Sequence, residues 1–245
     1  MNNTRENKKY IMIQLIKKMP SLFFGLILYS IGILLTLHCN LGMGPWDVLH
    51  VGIVKHSIFT LGQVSQLVGI LILAICYFMG VPLGLASVFN MIFIGFFIDI
   101  IEKFNIIKTA DALIARILML GIGVLVIGWA TYFYLKVNLG AGPRDSLMEG
   151  LVKKTDKPVW MIRTFIEGSV LIVGYFLGGP VGIGTLIIAL TLGFSIQLAF
   201  KIGRYSSESV KHVSLMDLYR DFCPKKECLS EENSKTYLKS RDSEV

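Results

Sequence analysis

Charge is scarce in this chain. Only 17% of its 245 residues are Asp, Glu, Lys or Arg, where a soluble domain carries roughly a quarter. Set against 53% hydrophobic residues and a mean hydropathy of +0.64, that shortage excludes an ordinary cytoplasmic globular enzyme, and the apolar content excludes disorder. Cysteine is scarce too. Cys39, Cys76, Cys223 and Cys228 are too few and too scattered for a secreted disulfide scaffold. No small-residue cleavage site follows the first apolar run, and further apolar runs come after it, so this run reads as an uncleaved span rather than a signal peptide. His38, His50, His56 and His212 are not spaced as ligands, and no Ser/His/Asp set converges in sequence. Neither a metal, a cofactor nor a catalytic group is expected.

What the chain has is long apolar runs. A bilayer core of roughly 30 Å needs about 20 apolar residues in a helix, and the runs at 21–39, 61–79, 82–101, 113–135, 159–178 and 181–200 meet that need. The expected fold is therefore all-α, a polytopic membrane protein of about six transmembrane helices. Gly80-Val81-Pro82 and Gly178-Gly179-Pro180 mark tight hairpins, because the residue before a proline is pushed out of helical geometry. The net charge of +7 is distributed by topology. On one side lie Arg5, Lys8, Lys9, Lys17, Lys18, Lys136, Arg144, Lys153, Lys154, Lys157, Lys201, Arg204, Lys211 and Arg220, and on the other only Lys55, Lys103, Lys108 and Arg116. The crowded side is expected to be cytoplasmic and to hold both termini. Anionic lipid, not nucleic acid, is the partner this charge implies. Tyr10–Lys18 reads as a short amphipathic segment on the inner surface, ended by Pro20. The segment 203–245 reads as a polar tail, with a weakly amphipathic stretch at Val213–Phe222 and the Cys223/Cys228 pair as reduced thiols rather than a zinc ribbon.

The chain also repeats itself. A shift that carries residue 40 onto 138 aligns residues 40–84 with 138–182 without a gap. Asn40-Leu41-Gly42-Met43-Gly44-Pro45-Trp46-Asp47 meets Asn138-Leu139-Gly140-Ala141-Gly142-Pro143-Arg144-Asp145, and Gly80, Pro82 and Gly84 meet Gly178, Pro180 and Gly182. Leu and Val matches arise by chance between apolar spans, whereas the Asn, Gly, Pro and Asp matches do not. Each copy holds three spans, an odd number, so the second must enter the membrane from the opposite side. The expected organisation is a basic segment over 1–20, a first three-helix repeat over 21–101, a second, inverted one over 102–202, and the tail. Inverted repeats of this kind are common in secondary transporters.

The N-L-G-x-G-P-x-D motif has a physical reading. Its glycines permit positive φ and close approach, proline suits the first turn of a helix, and aspartate there complements the dipole or accepts an orphan N–H. Short helices are expected over Pro45–His56 and Pro143–Lys154. Two roles stay open: a well-capped surface helix, or a re-entrant segment whose amides line a cavity. On the second, Asn40, Gly42, Gly44, Asp47, Asn138, Gly140, Gly142, Arg144 and Asp145 are candidate substrate-binding residues. Arg144, where the first copy has Trp46, suits a planar anion, or contacts lipid. Arg163 and Glu167 stand four apart inside the fifth span, as a polar pathway or as a self-neutralised pair. Gln63, Ser65, Gln66 and Asn90 are weaker polar points.

The motifs LGMGPWDVLHVGI and LGAGPRDSLMEGL, with LGGPVGIGT downstream, resemble the YczE/YyaS/YitT-like bacterial integral membrane proteins, closest to the YczE type. The resemblance covers residues 20–202 and implies a bacterial inner-membrane location. The expectation is a secondary transporter of a small polar or anionic metabolite. The alternative is a non-transporting accessory protein that supports a partner enzyme or exporter. An intramembrane enzyme would need a lipid-sized lateral groove.

Overall fold

The protein is described by a computed structural model covering residues 2–204, with side chains from residue 12. Among the described residues there are eight α-helices and no β-strand: α1 (Asn2–His38), α2 (Pro45–Lys55), α3 (Leu61–Phe78), α4 (Leu85–Lys103), α5 (Leu113–Leu135), α6 (Pro143–Thr155), α7 (Val159–Phe176) and α8 (Ile183–Ile202). Six are long and apolar enough to cross a membrane: Met12–His38 within α1, and α3, α4, α5, α7 and α8. All six expected spans are present. α2 and α6 are the two expected short helices, each within a residue of its forecast bounds. One expectation fails. α1 does not end at Pro20 but continues through it, because Pro20 faces outward and only one i→i−4 bond is forfeited there. The tail features, including Cys223, Cys228 and His212, lie outside the described residues.

Local chemistry sets the helix ends. Thr60 and Gln63 form a reciprocal capping box at the start of α3, with N–H to side-chain oxygen distances of 3.0 and 3.2 Å. Gly80 and Gly178 follow α3 and α7 at φ 76° and 78°. There Val81 N–H bonds back to Cys76 O at 3.0 Å and Gly179 N–H to Gly174 O at 2.8 Å. These are Schellman ends, which place a glycine in the left-handed region.

The two halves, α1–α4 and α5–α8, repeat one geometry. Asn40 and Asn138 have φ 51° and 57°, and Gly42 and Gly140 have φ 116° and 119°. Each loop docks on the other half: Leu41 O accepts from Gly184 N–H at 2.7 Å, and Leu139 O from Ala86 N–H at 2.9 Å. The glycines are spatially required. A Cβ on Gly42 would sit 2.8 Å from Thr185 N, and one on Gly140 2.6 Å from Gly84 Cα. α1 and α5 form the spine, packed through Gly25, Gly32 and Gly123, the small-residue contact by which helices approach in lipid. Phe78, Phe165, Phe176 and Ile183 point outward and are over 65% exposed. An apolar exterior of this kind suits hydrocarbon rather than water.

The halves differ most at one seam. α3 and α4 pack together: Gly62 touches Gly95 O, Gln66 Nε2 donates to Ile92 O at 2.8 Å, and Asp99 accepts from Thr60 Oγ1 at 2.6 Å and Gly62 N–H at 2.9 Å. Their counterparts α7 and α8 stand apart.

Candidate functional site

At 1.5 Å per residue, α2 and α6 are too short to cross a bilayer. α2 begins among Ile72, Ile162 and Ile166, where Trp46 is buried, and ends where Lys55 Nζ donates to Gly178 O at 2.6 Å, beyond the close of α7. α6 mirrors it, with Gly150 against Val81 and Met79 beyond the close of α3. The first turns of the two short helices meet. The Arg144 guanidinium lies 5.1 Å from the Trp46 ring centroid, and its Nη2 is 3.4 Å from Asp47 Oδ1. Both helices therefore aim their partially positive N-termini at one place.

A cavity of about 120 Å³ lies at this meeting point, between the halves, with residues of α7 and α8 along one wall. Gly44, Asp47, Arg144, Asp145, Arg163 and Glu167 line it, so six of the eleven candidates are brought together. Gly142 lines a smaller neighbouring cavity of about 70 Å³. Asn40, Gly42, Asn138 and Gly140 line neither. They turn the loops and let them approach the opposite half. Neither α2 nor α6 has a side-chain cap. Asp47, which is 7% exposed, turns inward toward Arg144 and to within 3.8 Å of His50 Nδ1. Asp145 accepts a 2.8 Å bond from the Tyr134 hydroxyl.

Arg163 and Glu167 pair at 3.0 Å as their spacing requires. They sit at the cavity mouth, half exposed, so the pair is both internally neutralised and part of a polar surface. Two guanidiniums and three carboxylates thus surround the cavity. Arg144 is engaged loosely, since 3.4 Å is long for a charge-assisted bond. A guanidinium has five donors in a planar fork, and this one can present an edge to a carboxylate or phosphate without leaving the Trp46 face.

Sequence reasoning missed Tyr29, Tyr134 and His50. Tyr29 and Tyr134 stand 6.3 Å apart, centroid to centroid, between the two short helices, and His50 lines the smaller cavity. A tyrosine inside an apolar run looks like core packing. The available signal was helical phase, since Tyr29, Ile33 and Thr36 of α1 share one face of that helix and all three line the cavity.

Fold and site together define a polytopic α-helical membrane protein with a charged cavity between two similar halves. The chain belongs to DUF6198, a family of unknown function whose model matches residues 16–201. It is 35% identical over 186 residues to an uncharacterised protein of Haemophilus influenzae, covering 76% of this chain and 84% of that one. It is 34% identical over 189 residues to the uncharacterised membrane protein YczE of Bacillus subtilis, covering 76% and 86%, and 30% identical over 168 residues to YyaS of the same organism, covering 66% and 82%. The resemblance read from the motifs is therefore borne out. No solved structure matches the chain.

Proposed function

We propose that this protein is a secondary transporter of a small polar or anionic metabolite, set in the bacterial inner membrane as an inverted repeat with both termini cytoplasmic. The observation that carries this reading is the meeting of the two motif helices, N-terminus toward N-terminus, at a charged cavity between the halves. Half-helices that point their positive ends at a mid-membrane site are the arrangement by which transporters hold anionic groups. Irregular backbone within a membrane is tolerated where it is buried or lines a water-filled cavity, and Gly44 at the end of the first loop lines this one. A protein that only supports a partner has no use for five charges around a water-sized opening, and each costs free energy to hold in a membrane. A cavity of about 120 Å³ also suits a small solute better than an acyl chain.

The test is a thermal-stability screen of the purified protein in detergent against small carboxylates, inorganic phosphate and amino acids, followed by uptake into proteoliposomes. A solute present at 100 times its Kd stabilises by about 2.7 kcal/mol. Uptake should be lost in Asp47→Asn and Asp145→Asn while both variants remain folded in the membrane. Stabilisation by none of the solutes, together with stable co-purification of another protein, would favour the accessory role instead.

A further inference from the structure

The two cavities are copies of one another. The same displacement that carries residue 40 onto 138 carries the smaller cavity's wall onto the larger one's: His50 onto Met148, Ser65 onto Arg163, Gly69 onto Glu167, Asn90 onto Ile188, Met91 onto Ala189 and Ile94 onto Leu192. The motif residues exchange as well, because the smaller cavity holds Gly142, Pro143, Arg144 and Asp145 where the larger holds Gly44, Pro45, Trp46 and Asp47. Tyr29, Ile33, Tyr134, Arg144 and Asp145 line both cavities and form their common wall.

We infer that the smaller cavity is a second vestibule for the same small anion, opening to the opposite face of the membrane when the α3/α4 seam parts and the α7/α8 seam closes. This rests on the transport reading above and adds to it the route past Arg144. The seams carry the argument. The shut seam beside the smaller cavity is the one sealed by Gly62, Gly95 and Gln66, and the parted seam lies beside the larger. The parted seam is also shaped to close. Where Gly69 receives Met91 across the shut seam, the parted one sets Glu167 opposite Ala189, with large and small exchanged. Where Gly62 meets Gly95, it sets Trp160, 69% exposed, opposite Gly193, which has open space around it. Arg144 lies on both walls, so an anion held by it can be handed from one vestibule to the other without leaving its cation. Two conformations exchanged by an internal repeat can lie within a few kcal/mol of each other, and the population of each depends exponentially on how strongly its seam is held.

The test needs no ligand. In a background with Cys39, Cys76, Cys223 and Cys228 replaced, single Ser65→Cys and Ala189→Cys variants of the full chain are exposed in oriented membrane vesicles to a membrane-impermeant methanethiosulfonate reagent. Ala189→Cys is expected to react quickly from one face and Ser65→Cys slowly from the other. Adding Gly62→Ala, whose Cβ would press on Gly95 O and the Asp99 carboxyl, should force the shut seam open. If the minor state holds at most about 10% of the population and becomes the major one, the Ser65→Cys rate should rise by at least about tenfold and the Ala189→Cys rate should fall. Gln66→Ala is the gentler version should Gly62→Ala fail to reach the membrane. Two results would overturn the inference: Ser65→Cys inert from both faces in both seam variants, which makes the cavity a sealed void, or both sites accelerating together, which makes a static pore. Reciprocal labelling with no stabilising solute would leave the vestibules standing and remove the small-metabolite reading instead.

Discussion

Arg144 and Asp47 should be energetically coupled, and the coupling can be sized. At 3.4 Å and an effective dielectric of about 20, a full charge pair is attracted by roughly 5 kcal/mol. Asp47's side chain is only 10% exposed and Arg144's 30%, so removal of the guanidinium strands a buried carboxylate while the reverse change strands a cation that water reaches. Breaking a buried pair from one side costs about 3–5 kcal/mol. Water in the cavity screens this one, so a loss of about 2–3 kcal/mol is expected for Arg144→Gln, and about 1 kcal/mol for Asp47→Asn. At about 2–4 °C per kcal/mol for a chain of this size, Arg144→Gln should lower Tm in detergent by about 5–10 °C. The double variant removes both charges and should lie closer to the wild type than the sum of the singles, by at least about 1.5 kcal/mol. Arg144→Lys separates charge from shape, because it keeps the cation and gives up the flat stack on Trp46, worth about 0.5–1 kcal/mol. Strict additivity in the double variant, or an Arg144→Gln protein as stable as the parent, would refute the pairing and with it the assignment of Arg144 to the shared wall.

Two further outcomes follow from the fold. Gly140→Ala combines positive φ with a backbone clash at Gly84 and should cost more than about 1 kcal/mol, whereas Gly121→Ala, in a helix with nothing within 4 Å of its Cβ, should be neutral or gain up to about 1 kcal/mol; thermal melts of the two variants decide it. Native Cys39 and Cys76 are buried and report no sidedness. An impermeant thiol reagent should instead modify Ile58→Cys, at a position 98% exposed, only from outside, and Lys157→Cys only from inside; the reverse pattern would invert the orientation drawn from the cation distribution.

The spans were legible because hydrocarbon thickness turns length and apolarity into a nearly sufficient rule, and Gly-Pro pairs marked where α3 and α7 stop. Part of the site was legible for the same reason. A charge inside an apolar run is conspicuous, and Arg163, Glu167, Asp47, Asp145 and Arg144 all line the cavity. Other features were less legible. Asn40, Gly42, Asn138 and Gly140 drew notice by being the same in both copies, yet their sameness reports a backbone demand: positive φ and a loop pressed against the other half. Pro20 was misread by a local rule, since its neighbours sustain the helix on either side. Tyr29, Tyr134 and His50 stayed hidden because their importance depends on which helices meet, which span hydropathy does not encode.

On the proposed inverted repeat, the positions where the copies differ follow from the axis that would relate them. Equivalent residues close to a two-fold axis must meet each other, as Trp46 and Arg144 do at 5.1 Å. Two arginines at that separation would repel by roughly 3 kcal/mol at an effective dielectric of about 20, and two tryptophans would offer an anion nothing. One of each gives attraction instead, a cation over an aromatic face, and leaves one guanidinium at the point where the two halves meet. The same reasoning applies to Arg163 and Glu167 where the first copy has Ser65 and Gly69. A glycine at 69 lets α3 close on Met91, while the ion pair at 163 and 167 makes the other side polar. A strictly symmetric chain would have two equal mouths and a repulsive centre. The departures from symmetry place one guanidinium at the centre and an ion pair at one mouth, while the matched aspartates Asp47 and Asp145 supply the cavity's symmetric charges.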